Sequence, residues 1–226
     1  MNKNKKVIAL VGLIGSGKDT VADYLQNIHH FRRESFAKTL KDSVAFVFDW
    51  DRDLLEGRTE YSREWRENVD QWWAERLEIP NLTPRWVLQY WGTEVLRKNF
   101  HDDIWVASLE NKLRNNKDNI VITDCRFGNE IRAIRNQGGV IVRVKRGSDP
   151  EWFTIAERYN KTTDLVKKKN LSTELSILGV HESEYGWAGE RFDAVLTNDD
   201  TLSNLYDQVN GLLVDHQIST PNLLSE

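Results

Sequence analysis

Between Gly12 and Thr20 the chain reads Gly-Leu-Ile-Gly-Ser-Gly-Lys-Asp-Thr, a glycine-rich turn that ends in lysine. This fits G-x-x-x-x-G-K, the spacing of a phosphate-cradling P-loop. Gly12, Gly15 and Gly17 let backbone N–H groups, with that of Ser16, curl around phosphate oxygens. The helix that follows aims its positive end at the same anion. Lys18 adds a mobile charge near the β and γ phosphates of a nucleotide. The usual hydroxyl after the lysine is replaced by Asp19, and Thr20 comes one step later. A magnesium ligand is therefore displaced from its common place, and Asp19 is expected to reach a metal through water.

A second group of chemically capable residues is Asp124-Cys-Arg126, directly after the apolar run Ile120-Val-Ile-Thr123. In open parallel sheets ligands gather at the carboxyl ends of strands. An aspartate there can hold a metal's water shell or take an acceptor hydroxyl, and an arginine can neutralise phosphate. Glu130 stands four residues past Arg126, on the same helix face. The plain alternative is a helix N-terminal acid with a surface Arg–Glu pair. Thr83-Pro84-Arg85 opens another helix, with threonine as N-cap and proline in the first turn. Along it Leu88, Trp91 and Val95 form an apolar stripe, and Arg85, Gln89 and Gly92 form a second. A glycine in mid-helix invites close approach, by a ligand or by another helix. Trp105 reads as core, or as a wall for a flat base. Arg143 and Arg146 border a polar stretch, where an arginine at a lid hinge could clamp a phosphoryl group. Arg158 is a weaker candidate for that part.

These groups need a frame. Strands are expected at 6–12, 119–123, 140–144 and 194–197, separated by helical segments, which argues for a parallel sheet flanked by helices. Phe127, Ile131 and Ile134 mark one inward stripe; Leu202, Leu205, Val209 and Leu212 mark another. The whole reads as one domain over 1–226, with a core at about 5–48, 83–146 and 193–214. Residues of about 49–82, dense in charge and tryptophan, form an insertion. Residues of about 147–192, polar and poorly periodic, form a peripheral, lid-like segment. The last eight or so residues read as a frayed tail.

Composition sets outer limits. The 226 residues carry a net charge of −4, which argues against a nucleic-acid surface as the main function. No apolar stretch approaches the roughly 20 residues that span a bilayer, and the basic N-terminus runs into the P-loop rather than into a signal peptide. The single cysteine, Cys125, excludes an internal disulfide and fits a reducing cytoplasm. The five histidines show no metal-ligand spacing. Of nine tryptophans, seven fall between Trp50 and Trp105, so that region has its own packing or stacking work.

Taken in order, the P-loop ending Gly17-Lys-Asp-Thr20, Phe36-Ala-Lys-Thr-Leu-Lys-Asp42, Arg85…Gln89…Gly92-Thr-Glu94, Asn99-Phe100, Trp105-Val106, Asp124-Cys-Arg126…Glu130, His181-Glu-Ser-Glu184 and Leu196-Thr-Asn-Asp199 resemble the phage-type deoxynucleoside monophosphate kinases of the P-loop nucleoside monophosphate kinase superfamily. The resemblance implies transfer of the ATP γ-phosphoryl to a deoxynucleoside monophosphate, giving ADP and a diphosphate. It implies MgATP on Gly12 and Gly15 to Thr20, with Asn198 near the donor adenine. It places the acceptor on Arg85, Gly92, Trp105, Asp124, Arg126 and Glu130. Lys18, Arg126, Asp124 and Arg146 would carry the chemistry, with Asp19 and Asp124 organising Mg²⁺ through water. At the acceptor side of the loop Ile14 and Gly15 stand where a family member has basic residues, so a side-chain contact there is lost. The expected setting is the cytoplasm (a host's, if phage-encoded), without membrane or nucleic-acid partner; a homodimer is left open. Two rivals share the loop. One is a kinase of another phosphorylated metabolite, similar to dephospho-coenzyme A kinase. The other is a nucleotide-binding switch, although a guanine-reading Asn-Lys-x-Asp is absent: Asn116-Lys-Asp118 has its aspartate one place early.

Overall fold

The computed structural model describes residues 6–114 and 116–218. The expected tail at 219–226 lies outside the described residues. The chain divides into two compact units, Met1–Ser35 with Asn116–Glu226, and Phe36–Asn115.

The first unit is built on a five-stranded sheet. Its strands are β1 (Val7–Val11), β2 (Arg32–Glu34), β3 (Ile120–Ile122), β4 (Val140–Lys145) and β5 (Ala194–Thr197). They lie in the order β2-β3-β1-β4-β5, and every neighbouring pair is parallel. This is the helix-flanked parallel sheet of P-loop proteins that the alternation of strands and helices predicts. Sheets covered on both faces need unbroken apolar strands. Val-Ile-Ala-Leu-Val of β1 and Ile-Val-Ile of β3 are buried throughout. On one side Val21 and Leu25 of helix Lys18–Asn27 meet Leu205, Val209 and Leu212 of helix Leu202–Asp215 over Ile8, Leu10, Val142 and Val144. Helix Gly128–Asn136 packs against β1 and β4, burying Ile131 and Ile134.

Strand β2 has no signature in the sequence. It is three residues long, Arg-Arg-Glu, and its existence rests on parallel pairing with β3 rather than on side-chain pattern. The stretch after β4 is also more ordered than its polarity predicts. It holds helices Trp152–Lys161, Leu165–Ile177 and Glu182–Tyr185, and buries Phe153, Ala156, Leu175, Tyr185 and Trp187. Periodicity misses it because these buried side chains are spread over helix ends and turns.

The second unit is helical. Helices Lys38–Phe48, Arg52–Glu56, Glu60–Glu67 and Gln71–Leu77 precede Pro84–Gln89, and Ile104–Arg114 closes the series. Trp50 and Trp105, with Trp65, Trp73, Trp86 and Trp91 packed against them, belong to its core, and Trp72 is exposed. Phe48 stacks on Trp50 with ring centroids 4.5 Å apart and meets Trp73 and Trp91 edge-on. Trp50 Nε1 donates to Asp70 Oδ2 at 2.8 Å, and Trp73 Nε1 donates to the Phe48 carbonyl at 3.1 Å. Buried indoles thus find the polar partner they require.

Thr83 and Pro84 begin their helix as expected, with Thr83 Oγ1 accepting from the Trp86 amide at 3.0 Å. The helix then widens into a π-helix over Tyr90–Lys98. Bonding from i to i+5 defeats a face drawn at 3.6 residues per turn. Val95, expected in the apolar stripe, is therefore exposed, and Gly92 is buried while Arg85 and Gln89 face solvent.

Candidate nucleotide and phosphoryl-transfer site

The P-loop joins β1 to helix Lys18–Asn27 and is shaped by its glycines. Gly15 and Gly17 lie at φ of 77° and 102°, in the left-handed region that side chains avoid. Gly17 has a second reason to lack a side chain: a Cβ there would lie 2.3 Å from Asn198 Nδ2. That amide donates to the Ser16 carbonyl at 3.0 Å, while the Asn198 N–H donates to the Lys145 carbonyl at 2.7 Å. Asn198 therefore braces the loop after β5 against the phosphate loop. The resemblance implies a place near the donor adenine, and the side chain reaches the P-loop backbone. The Ser16 hydroxyl is buried and has no hydrogen-bond partner, an orphaned donor inside an anion cradle.

Lys18 Nζ folds back over this loop, donating to the carbonyls of Gly12 at 2.9 Å and Leu13 at 2.8 Å. Burial is the largest influence on its ammonium, and the nearby Arg126 guanidinium adds to it; Asp19 opposes both. Together they lower its pKa from 10.5 to about 8. A cation so placed gains most when a polyphosphate arrives.

The sheet pairing locates the second group of residues. Strands β1 and β3 are direct neighbours with Ala9 opposite Ile122, so their carboxyl ends open on the same edge of the sheet. Asp124 accepts from Ser35 Oγ at 2.8 Å. Glu130, 4% exposed, accepts from the Arg126 and Phe127 amides at 2.7 and 3.1 Å. Glu130 thus fixes the backbone of the corner and leaves the Arg126 side chain exposed. It is the N-terminal acid of the plain reading, put to positional use.

Arg143 and Arg146, alike in sequence, have different surroundings. The Arg143 guanidinium lies 4.7 Å from the Phe153 ring centre, 5.2 Å from that of Trp187 and 5.7 Å from that of Phe192. It also pairs with Asp149. It fastens the helices after β4 to the sheet. Arg146 is exposed and lines a pocket of about 180 Å³ with Leu13, Ile14, Gly15 and Ser16 of the P-loop. Ile14, 80% exposed, stands at its rim.

In the helical unit Arg85 is exposed, with Glu67 3.7 Å away. A Cβ on Gly92 would lie 2.8 Å from Leu40 Cδ2, and the Gly92 carbonyl accepts from Trp105 Nε1 at 3.0 Å. Trp105 is itself 8% exposed. The geometry of both residues is that of helix packing, the simpler of the two readings open to each.

A family model described as deoxynucleotide monophosphate kinase matches residues 59–157. A protein of Acanthamoeba polyphaga mimivirus, provisionally named a deoxynucleotide monophosphate kinase, is 31% identical over 186 residues, covering 74% of this chain and 90% of its own length. The chain belongs to the deoxynucleotide monophosphate kinase family. The deoxynucleotide monophosphate kinase of Enterobacteria phage T4 is 21% identical across 92% of this chain and 98% of its own. Among solved structures, the dephospho-CoA kinase from Campylobacter jejuni covers 94% of this chain and 97% of its own at 13% identity, with a TM-score of 0.42. A likeness that distant says nothing about the acceptor.

One residue beside the P-loop helix escapes the sequence altogether. Arg33, the middle residue of β2, pairs with Asp19, donates from Nη1 to Asp23 Oδ1 at 3.0 Å and from Nη2 to Thr123 Oγ1 at 3.3 Å. With β2 invisible, nothing places it beside the P-loop helix.

Among the described residues no three His, Cys, Asp or Glu side chains gather as a metal site. Mg²⁺ commonly needs only one or two carboxylates when substrate phosphates and waters complete its shell. Asp19, 78% exposed, and Asp124 are of the right chemistry for that part.

Among the described residues no helix is long and apolar enough to cross a membrane.

Proposed function

We propose that the chain moves the γ-phosphoryl of ATP onto the phosphate of a deoxynucleoside monophosphate, releasing ADP and a deoxynucleoside diphosphate. The observation that carries this reading is the pairing of β1 with β3, which opens the loop holding Lys18 and the corner holding Arg126 at the carboxyl ends of adjacent parallel strands, where the Arg126 charge acts on Lys18. Two phosphorylated molecules brought end to end need positive charge from both loops.

In this mechanism Lys18 and the P-loop amides hold the donor's β and γ phosphates. Arg126 offsets the charge that builds as the two phosphates approach, with Glu130 fixing its backbone. Arg146, beside Leu13 to Ser16, adds a second guanidinium from the end of β4. Asp124, oriented by the Ser35 hydroxyl, directs the acceptor. Arg85 contributes to acceptor binding, and Gly92 and Trp105 serve by shaping the π-helix that follows it in the chain. Mg²⁺, when bound, would supply further charge neutralisation, held through water by Asp19 and Asp124. Positioning and preorganised charge carry most of such a reaction, so no protein nucleophile is required.

An ADP-release assay over deoxynucleoside monophosphates, ribonucleoside monophosphates and dephospho-coenzyme A tests the proposal. Strong stimulation by at least one deoxynucleotide is expected. Stimulation by none rejects it, and turnover on dephospho-coenzyme A alone selects the rival kinase. Nucleotide binding without turnover on any acceptor selects the switch.

A further inference from the structure

Asp19 puts a negative charge at the first turn of the P-loop helix, next to the place where a polyphosphate must sit. Asp23, one turn on, adds another. Left alone, these carboxylates would oppose the anion that the glycines and Lys18 attract. The structure gives both of them the same partner: the guanidinium of Arg33 pairs with Asp19 and Asp23 together. Its Nη2 also donates to Thr123 Oγ1 at 3.3 Å, in the residue before Asp124. The Arg33 side chain is only 19% exposed, whereas those of Asp19 and Asp23 are 78% and 59% exposed. The cation is the fixed member of the cluster, and the carboxylates come to it.

We infer that Arg33 is a positioning residue of the nucleotide site: it cancels the charge that Asp19 brings to the P-loop and ties that carboxylate to the Thr123–Asp124 corner. The replacement of a hydroxyl by aspartate after Lys18 is tolerable because β2 delivers an arginine to meet it. The inference rests on the reading of this loop as a donor-phosphate site, and not on the identity of the acceptor.

Binding of ATP to the full chain is measured by calorimetry in EDTA and again with excess Mg²⁺, so acceptor turnover plays no part in the result. In Arg33→Gln the Asp19 charge is uncompensated. Metal-free ATP should bind roughly 5-fold more weakly, with a smaller loss for MgATP, where the metal shields the same charge. Asp19→Asn in the Arg33→Gln background should restore most of the loss, because it removes the charge left uncompensated. Arg33→Lys, which keeps the charge, should lie closer to wild type than Arg33→Gln. Equal losses with and without Mg²⁺, or no recovery of metal-free affinity in the double variant, overturn the inference. If Arg33→Gln gives no cooperative urea transition, Asp19→Asn decides: it leaves the Arg33 charge uncompensated and should tighten metal-free ATP binding roughly 5-fold and MgATP binding less, and no change in either overturns the inference. No ATP binding by the wild-type chain would instead remove the donor-site reading itself.

Discussion

The two units use charge and aromatic rings in opposite ways. In the sheet unit, cations around the P-loop are held in place by backbone carbonyls or carboxylates: Lys18 on Gly12 and Leu13, Arg33 on Asp19 and Asp23. In the helical unit the rings of Trp50, Trp73, Trp91 and Phe48 make the interior, and ions cluster at its surface. Glu56, between Lys41 and Arg52, is held at a pKa of about 2: their hydrogen bonds and positive charges outweigh its burial. The lesson is that residue density is a poor guide to chemistry. The tryptophan-rich stretch is the most conspicuous in the sequence, and its rings are spent on stability.

Substitutions can break that contrast. Lys18→Ala should cause the largest loss, about 1000-fold in kcat/KM, because it removes a charge aligned with the transferring phosphates. The urea midpoint should hardly move, and a large fall in it would recast Lys18 as structural. Arg126→Ala should lower kcat/KM by at least roughly 100-fold, and a near-normal rate would take Arg126 out of the mechanism. Trp50→Ala should do the reverse of Lys18→Ala. It should cost about 3–5 kcal/mol of stability in urea denaturation, from the lost stack on Phe48 and the hydrogen bond to Asp70. A stability close to wild type would mean that the indole belongs to a ligand site after all.

A subtler test uses pH. The Lys18 pKa of about 8 means that the empty loop loses its ammonium as pH rises through that value. Nucleotide binding should then take up protons, and metal-free ATP affinity should fall by up to about tenfold per pH unit above 8. Calorimetry in buffers of different ionisation enthalpy reads the uptake directly. The same shift acts oppositely on the ligand-free fold. Between about 8 and 10.5 the unfolded chain binds more protons at this lysine, so the Lys18 contribution to stability rises with pH. The smallest effect belongs to Gly92→Ala. Leu40 Cδ2 is the far end of a flexible side chain, so repacking should hold the loss to about 1 kcal/mol.

Much of the sheet unit was legible in the sequence because its signals are local. The apolar runs of β1, β3 and β4 and the Gly-x-x-x-x-Gly-Lys spacing each specify one element without help from elsewhere. What could not be read was set by pairing over distance. Three charged residues become β2 only through β3, and Arg33 gains its place only once β2 exists. Arg143 reads as a strand-end cation until Phe153, Trp187 and Phe192 close around it. The π-helix defeats the helical period itself, so the stripe through Gly92 was drawn on a face that the chain does not form.

The bond from Asn198 to the Ser16 carbonyl spans 182 positions, and it fixes when the phosphate cradle can be finished. During synthesis the loop leaves the ribosome long before its brace. A nascent chain that has not yet released β5 holds an incomplete cradle, so tight capture of nucleotide marks a molecule in which β5 has already joined the sheet.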